Sequence, residues 1–383
     1  MRQNAARGLE PKRSNKIRTA KFISARGITS KTEISSSLKL SMPTTLQNVK
    51  ALVEEGIVEE TGEYESTGGR KAKALSICGG AGYAAGVDIT NNHITMVMVN
   101  AKKEIMASRR IRRAYENSAQ YYEFLVRTVS DFIEEQGVEP SKIAGIGFSL
   151  PGIVDKEQSL LLRSHTLKVQ NVSFRSVGDA LGYSCSIEND ANSAAYAELG
   201  TAAVSGDAAE DEETNAVYLS LSNTVGGSIC FGGQLYSGDN FKSGEFGHMV
   251  IEKNGRQCYC GKQGCMDAYC SALVLQENTD GSLEKFFDGV RQKNPELLKV
   301  WDRYLDDLAT AVTNLRMIFD CRIVLGGYVG GYLEEFMHEL SRKVMQYNNF
   351  DVDTSYLRTG KYKLNAAAYG AALKFIESIF DNI

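Results

Sequence analysis

With 383 residues, 43% apolar and 23% charged side chains and only five prolines, the chain has the composition of a folded globular protein with room for two or three domains. No run approaches the roughly 20 consecutive apolar residues of a membrane span, and residues 1–21 lack the apolar core of a secretion signal, so a cytoplasmic protein is expected. The net charge of −4 is uneven: the first 75 residues hold 14 Lys and Arg against 8 Asp and Glu, a net +6, and the remainder carries −10. That split suits a small nucleic-acid-binding module joined to a larger acidic body.

Residues 14–25 predict a helix with an apolar stripe of Ile17, Ala20, Phe22 and Ile23, closed by Gly27. Ser30 is placed to cap a second helix over 32–38, and Ser41 a third over 42–55 with Pro43 in its first turn, where a missing N–H costs nothing. The third helix is expected to bury Leu46, Val49, Leu52 and Val53. Its start would expose Thr44, Thr45, Gln47, Asn48 and Lys50, side chains that reach base edges and phosphates. Short strands at 57–60 and 73–77 flank a polar loop ending in Gly68-Gly69-Arg70-Lys71, a wing whose Arg70 and Lys71 suit a DNA backbone or minor groove. A protein-docking module of three helices fits the same pattern, but the amides of Gln47 and Asn48 and the basic wing favour DNA. Residues 1–77 are therefore expected to form a winged helix-turn-helix.

The body, residues 80–383, predicts strands at 82–88, 93–100 and 104–110, a helix at 121–136 and a buried strand at 143–148. A similar order returns with strands at 214–221, 227–231 and 234–235, then helices at 297–319 and 333–347 flanking a strand at 322–325. Two α/β lobes around a cleft are the simplest arrangement of this doubled pattern. Within it, Asn189 and Asp190 follow a short strand and open an alanine-rich helix. An adjacent amide and carboxylate can bind vicinal sugar hydroxyls; taken without companions, the pair reads as a helix cap.

Of eight cysteines, Cys258, Cys260 and Cys265 lie within eight residues, and His248 precedes them by ten. Three thiolates and one imidazole make a closed tetrahedral set for a structural Zn²⁺. Such a site would brace the segment from Glu245 to Asp267.

The chain resembles the ROK family, which joins sugar kinases of the actin-like, RNase H-like ATPase fold with repressors carrying an added winged helix. The resemblance rests on Leu150-Pro151-Gly152-Ile153-Val154-Asp155, Glu188-Asn189-Asp190-Ala191-Asn192, Gly244-Glu245-Phe246-Gly247-His248 and the segment Cys258 to Cys265. In the head it rests on Ser41-Met42-Pro43-Thr44-Thr45 and Gly68-Gly69-Arg70. It implies a sugar site of Gly152, Asn189, Asp190, Glu245, His248 and Asp267, with His165 and Thr166 near the rim. It also makes Asp190 the counterpart of the kinases' general base and His248 a zinc ligand. Asp267 replaces a family glutamate, one methylene shorter.

The family's phosphate loops are altered. The first turn reads Asp88-Ile89-Thr90-Asn91-Asn92, without the glycines that let a phosphate approach backbone N–H groups, and the second reads Ser222-Asn223-Thr224-Val225-Gly226-Gly227-Ser228. Poor triphosphate binding and a body that is not an enzyme are therefore expected. The resulting reading is a sugar-responsive regulator, a repressor released by its sugar, acting as a homodimer or homotetramer on palindromic operator DNA. The alternative is an ATP-dependent sugar kinase with an added DNA-binding head.

Overall fold

The computed structural model describes residues 3–64, 72–199 and 215–383. The expected wing tip, with Arg70 and Lys71, lies outside the described residues. At the N-terminus, helices α1 (Gln3–Arg26), α2 (Lys31–Ser37) and α3 (Met42–Glu54) pack with a small antiparallel sheet. Its strands are β1 (Ile28–Thr29), β2 (Val58–Tyr64) and β3 (Ala72–Ile77), with β3 in the centre. Ser30 Oγ accepts from the N–H of Glu33 at 3.2 Å and Ser41 Oγ from that of Thr44 at 3.3 Å, so both serines cap the helices they precede.

The buried face of α3 departs from the expected stripe. Thr45, Asn48, Val49 and Leu52 point inward, while Leu46 and Val53 are 46% and 39% exposed. The burial of Asn48 has a polar cause: its Nδ2 donates to Thr19 Oγ1 on α1 at 3.2 Å, a buried bond that joins the two helices. Thr45 is buried as well, so neither residue lies on the outward face. Ser41, Gln47 and Lys50 remain exposed and Thr44 half-buried. The core beneath holds Phe22, Ile23, Ile34, Val49, Leu52 and Ile77, together with Ala101 and Phe380 from the body.

The body contains one topology twice. In the first sheet the order is Cys185–Asn189, Ile143–Leu150, Tyr83–Ile89, His93–Asn100, Ile105–Arg112; in the second it is Leu357–Thr359, Arg322–Gly326, Ala216–Leu221, Val225–Phe231, Gln234–Tyr236. Each sheet has its earliest strand in the middle, two antiparallel strands on one side and two parallel strands on the other. The doubled pattern in the sequence is thus two lobes of like construction. The core of the second is aromatic, with Trp301 enclosed by Phe286, Phe287, Tyr304 and Phe336.

Among the features not anticipated, three shape the surroundings of the lobes. Strands Ile153–Asp155, Leu160–Ser164 and Val169–Ser173 form a separate small antiparallel sheet beside the first lobe. The helix expected at 333–347 is divided: Gly327–Leu333 ends, a 3₁₀ turn at Glu334–Phe336 intervenes, and Met337–Tyr347 follows. The chain closes on helix Ala366–Ser378, apolar almost all round, which lies between the first sheet and helix Asp190–Leu199. Gly370 permits that approach, since a Cβ there would stand 1.7 Å from the carbonyl oxygen of Ser193.

Candidate functional site

A cleft of about 300 Å³ opens between the small sheet, the first-lobe strand ends and the hairpin side of the second lobe. Gly152, Asn189, Asp190, Glu245 and His248, five residues singled out in the sequence, all line it, as do His165 and Thr166. Gly152 adopts φ +134°, and a Cβ at this position would meet the carbonyl oxygen of Arg163 at 2.4 Å, so the chain reversal here requires glycine.

Asn189 is held at both ends of its amide. Nδ2 donates to the carbonyl of Gly152 at 2.9 Å, and Oδ1 accepts from the N–H of Asn192 at 3.0 Å. It therefore caps the alanine-rich helix and also fixes the cleft wall, leaving one N–H and one lone pair for a ligand. Asp190 begins that helix, its Oδ1 accepting from the N–H of Ala191 at 2.9 Å. Burial, and then the nearby carboxylate of Asp88, push its pKa up to about 7. Asp88 is buried, accepts from Ser149 Oγ at 2.8 Å and is itself raised by burial to about 6.

On the opposite wall Glu245, its side chain about half exposed, precedes the 3₁₀ turn Phe246–His248, and partial desolvation by its neighbours raises its carboxyl above the usual range. His248 presents its two nitrogens to different surroundings. Nε2 lies 3.4 Å from Tyr259 Oη and 3.9 Å from Glu245 Oε2, while Nδ1 lies 3.9 Å from Cys258 Sγ.

The ligand atoms of His248, Cys258, Cys260 and Cys265 all fall within 4.8 Å of one another, and Cys260 Sγ is 3.7 Å from Cys265 Sγ. Tetrahedral bonds of about 2.3 Å to sulfur place two thiolates roughly 3.8 Å apart, so the four side chains can hold a metal ion. The loop carrying them is folded back on itself by bridges Val250↔Cys265 and Gln257↔Gln263.

Asp267 does not join the cleft. It is 6% exposed and its Oδ1 accepts from the N–H of Val225 at 2.6 Å, so its shorter carboxylate holds the hairpin after strand Ala216–Leu221 in place of a ligand contact. Sequence reasoning in turn missed Lys156, Arg163 and Lys242, which line the cleft, and the buried Glu188. Isolated lysines and arginines carry no spacing signal, and Glu188 becomes distinctive only when Lys156 and Lys374 converge on it.

Between the lobes a second cavity of about 600 Å³ is lined by Asn92, His93, Arg110, Asn223, Tyr328 and Lys363, among others. It adjoins both altered loops, and Arg110 Nη2 donates across it to Tyr328 Oη at 3.3 Å.

The ROK family pattern matches residues 84–377. The chain belongs to the ROK family. The xylose repressor of Bacillus subtilis (strain 168) is 30% identical over 248 residues, a match spanning 64% of this chain and 62% of that repressor. The putative xylose repressor of Caldicellulosiruptor sp. (strain Rt8B.4) is 28% identical over 375 residues, 91% of this chain and 92% of that protein. The N-acetyl-D-glucosamine kinase of Vibrio atlanticus (strain LGP32) is 28% identical over 283 residues, 68% of this chain and 89% of the kinase. Among solved structures, a ROK family transcriptional regulator, homologue of the Escherichia coli MLC protein, has the same fold over 96% of each chain, with TM-score 0.72 and 20% identity. The ROK glucokinase of Streptomyces griseus in complex with glucose and AMPPNP matches 76% of this chain and 99% of its own, with TM-score 0.61 and 21% identity. The ROK hexokinase of Thermus thermophilus matches 76% and 97%, with TM-score 0.58 and 25% identity.

These kinases overturn the expectation that the chain is not an enzyme. The α/β body of this ROK protein is shared with them across both lobes. The altered loops at 88–92 and 222–228 leave Asp88, Asp190 and the strand order of both lobes in place. Among the described residues, no helix is long and apolar enough to cross a membrane.

Proposed function

We propose that this ROK protein is a sugar-responsive DNA-binding transcriptional regulator, a repressor whose hold on its operator is released when a sugar enters the cleft. The observation that carries the reading is the joining of two units through one core: Phe380 from the end of the body is buried among Phe22, Ile23 and Ile77 of the N-terminal unit. In this reading residues 1–77 are a winged helix-turn-helix, with α3 in the major groove and the β2–β3 hairpin as wing. Ser41, Thr44, Gln47 and Lys50 face DNA, aided by Arg70 and Lys71 of the wing, and Thr45 and Asn48 serve the core. Residues 80–383 form the sugar-sensing body, acting as a homodimer or homotetramer so that two heads engage a palindromic operator.

The sugar contacts are Asn189, Asp190, Glu245 and His248, with Gly152 shaping the wall. Carboxylates and amides of this kind recognise vicinal hydroxyls, and xylose and N-acetylglucosamine, named in the relatives above and in the Escherichia coli N-acetylglucosamine repressor, are the first effectors to try. The ion held by His248 and the three cysteines is zinc, the metal suited to one imidazole and three thiolates, and its work is to keep Glu245 and His248 in place. The experiment selects an operator duplex with the purified chain and titrates it with and without each sugar. Release by at least one sugar is expected; equal affinity across a broad sugar panel would refute the reading.

A second reading, phosphorylation of the bound sugar by ATP, is favoured by one observation. The pKa of Asp190, near 7, is matched to a general base working at neutral pH. ADP release in the presence of sugar and Mg²⁺, abolished in Asp190→Asn, tests it.

A further inference from the structure

Glu188 is 2% exposed and gathers groups from separate parts of the chain. Its Oε1 accepts from the backbone N–H of Asn189 at 3.0 Å, in the cleft wall. Its Oε2 pairs with Lys156 at 2.7 Å and with Lys374. Lys156 follows the first strand of the small sheet and lines the cleft; Lys374 lies on the closing helix Ala366–Ser378 and does not line it. Burial works against the charge of Glu188, and the two ammonium groups outweigh it, holding the carboxyl below its ordinary range. One buried carboxylate thus divides its charge between a group that a ligand can reach and a group on the helix behind.

That helix leads to the N-terminal unit. One turn beyond Lys374, Glu377 accepts from Tyr196 Oη and lies 3.6 Å from Lys103 Nζ. Past the helix end Phe380, 1% exposed, enters the core of the N-terminal unit, and Asp381 pairs with Lys21 on α1 at 2.5 Å. A cavity of about 270 Å³ lies at this junction, lined by Lys21, Ser24, Lys103, Glu377 and Phe380 among others. The end of the helix therefore has space to shift against α1.

We propose that Lys374 is a positioning residue through which occupancy of the cleft is transmitted to the N-terminal unit, by way of the Glu188–Lys374 ion pair and the Phe380–Asp381 contact with α1. A ligand that draws on Lys156 or Asn189 changes the share of Glu188 left to Lys374, and the closing helix moves α1 with it. The inference rests on the sugar-responsive reading above. Coupling requires that the link have different energies in the two states, which mutation at either end can remove without touching either ligand.

The test uses the full chain and an operator duplex selected from a random-sequence library. Operator affinity is measured with and without D-xylose or N-acetylglucosamine, and sugar affinity is measured separately by calorimetry. In the wild type the sugar is expected to weaken operator binding about tenfold or more. In Lys374→Met sugar affinity and sugar-free operator affinity should stay within about threefold of wild type while the sugar effect on the operator falls below about threefold, and Lys374→Arg should restore it. Asp381→Asn, a partly exposed change at the far end, should weaken the sugar effect in a folded protein. A full sugar effect in Lys374→Met overturns the link; should that variant not fold, a full effect in Asp381→Asn does so. Wild-type operator binding that ignores every sugar overturns the regulator reading itself, a result visible before any variant is made.

Discussion

Gln47 and Asn48 are neighbours on α3, the first exposed and the second buried, so their substitution separates DNA reading from folding. Asn48→Ala removes the buried bond to Thr19 and should cost about 1 to 3 kcal/mol in urea unfolding while leaving base preference intact. Gln47→Ala should leave the melting curve unchanged and weaken specific over scrambled DNA by about 1 to 3 kcal/mol. Equal loss on both duplexes would deny Gln47 a base contact. Asp190 makes a pH prediction. Its folded pKa of about 7 lies above the ordinary carboxyl value near 4, so the folded chain holds the extra proton between these values. The stability it supplies is complete at the acid end and is lost as pH rises through about 7. Asp190→Asn should flatten that slope and exceed the wild type at pH 8 by about 2 kcal/mol; an unchanged slope in denaturation from pH 5 to 8 would contradict it. At this scale Asn189, Asp190 and Glu245 were reached through the family resemblance, because the first two by themselves read as a helix cap. The orientation of Asn48 was not legible, because an amide next to apolar residues reads as solvent-facing until Thr19 on another helix is seen to receive it.

At the scale of elements, the thiolate loop was the most readable part of the chain, since ligand spacing is a covalent fact. Cys260→Ser should release close to one bound zinc per chain and lower the melting temperature by at least roughly 5 °C, checked by elemental analysis and calorimetry on the same sample. A metal-free wild type with the same melting temperature would sink the structural role. Strands and helices with strong periodicity were found nearly in place, as in His93–Asn100 and Ala216–Leu221. The closing helix Ala366–Ser378 was not, because a helix buried on most sides has no polar face to reveal its period. The small sheet from Ile153 to Ser173 was missed for the converse reason: its strands are short and mix charged with apolar residues, and only the cleft beside them gives them purpose. Asp267 was misplaced because the reach of a carboxylate depends on the hairpin backbone of Val225, which no spacing encodes.

For the whole molecule, the repeated strand order made two sheets of like topology visible from the sequence, while the uneven charge carried only the expectation of a basic head. The contact between the N-terminal unit and the body was hidden, since Ala101 and Phe380 are distant in sequence from the core they enter. Loss of loop glycines also proved a weak argument about the whole body, for the lobes and both aspartates persist where those glycines are gone. A thermal-shift series separates the two proposed readings: at 100 times its Kd the cognate sugar should stabilise the body by about 2.7 kcal/mol, and ATP with Mg²⁺ forms an independent arm. The central claim is that one chain binds DNA and that sugar governs this binding. Its most direct test is the anisotropy of a labelled, selected operator duplex titrated with the purified chain, alone and with each member of a panel of aldoses, N-acetylated sugars and sugar phosphates. The account predicts tight binding without sugar and at least one sugar that weakens it about tenfold, with scrambled DNA unaffected. Operator affinity that stays constant across the panel would contradict it.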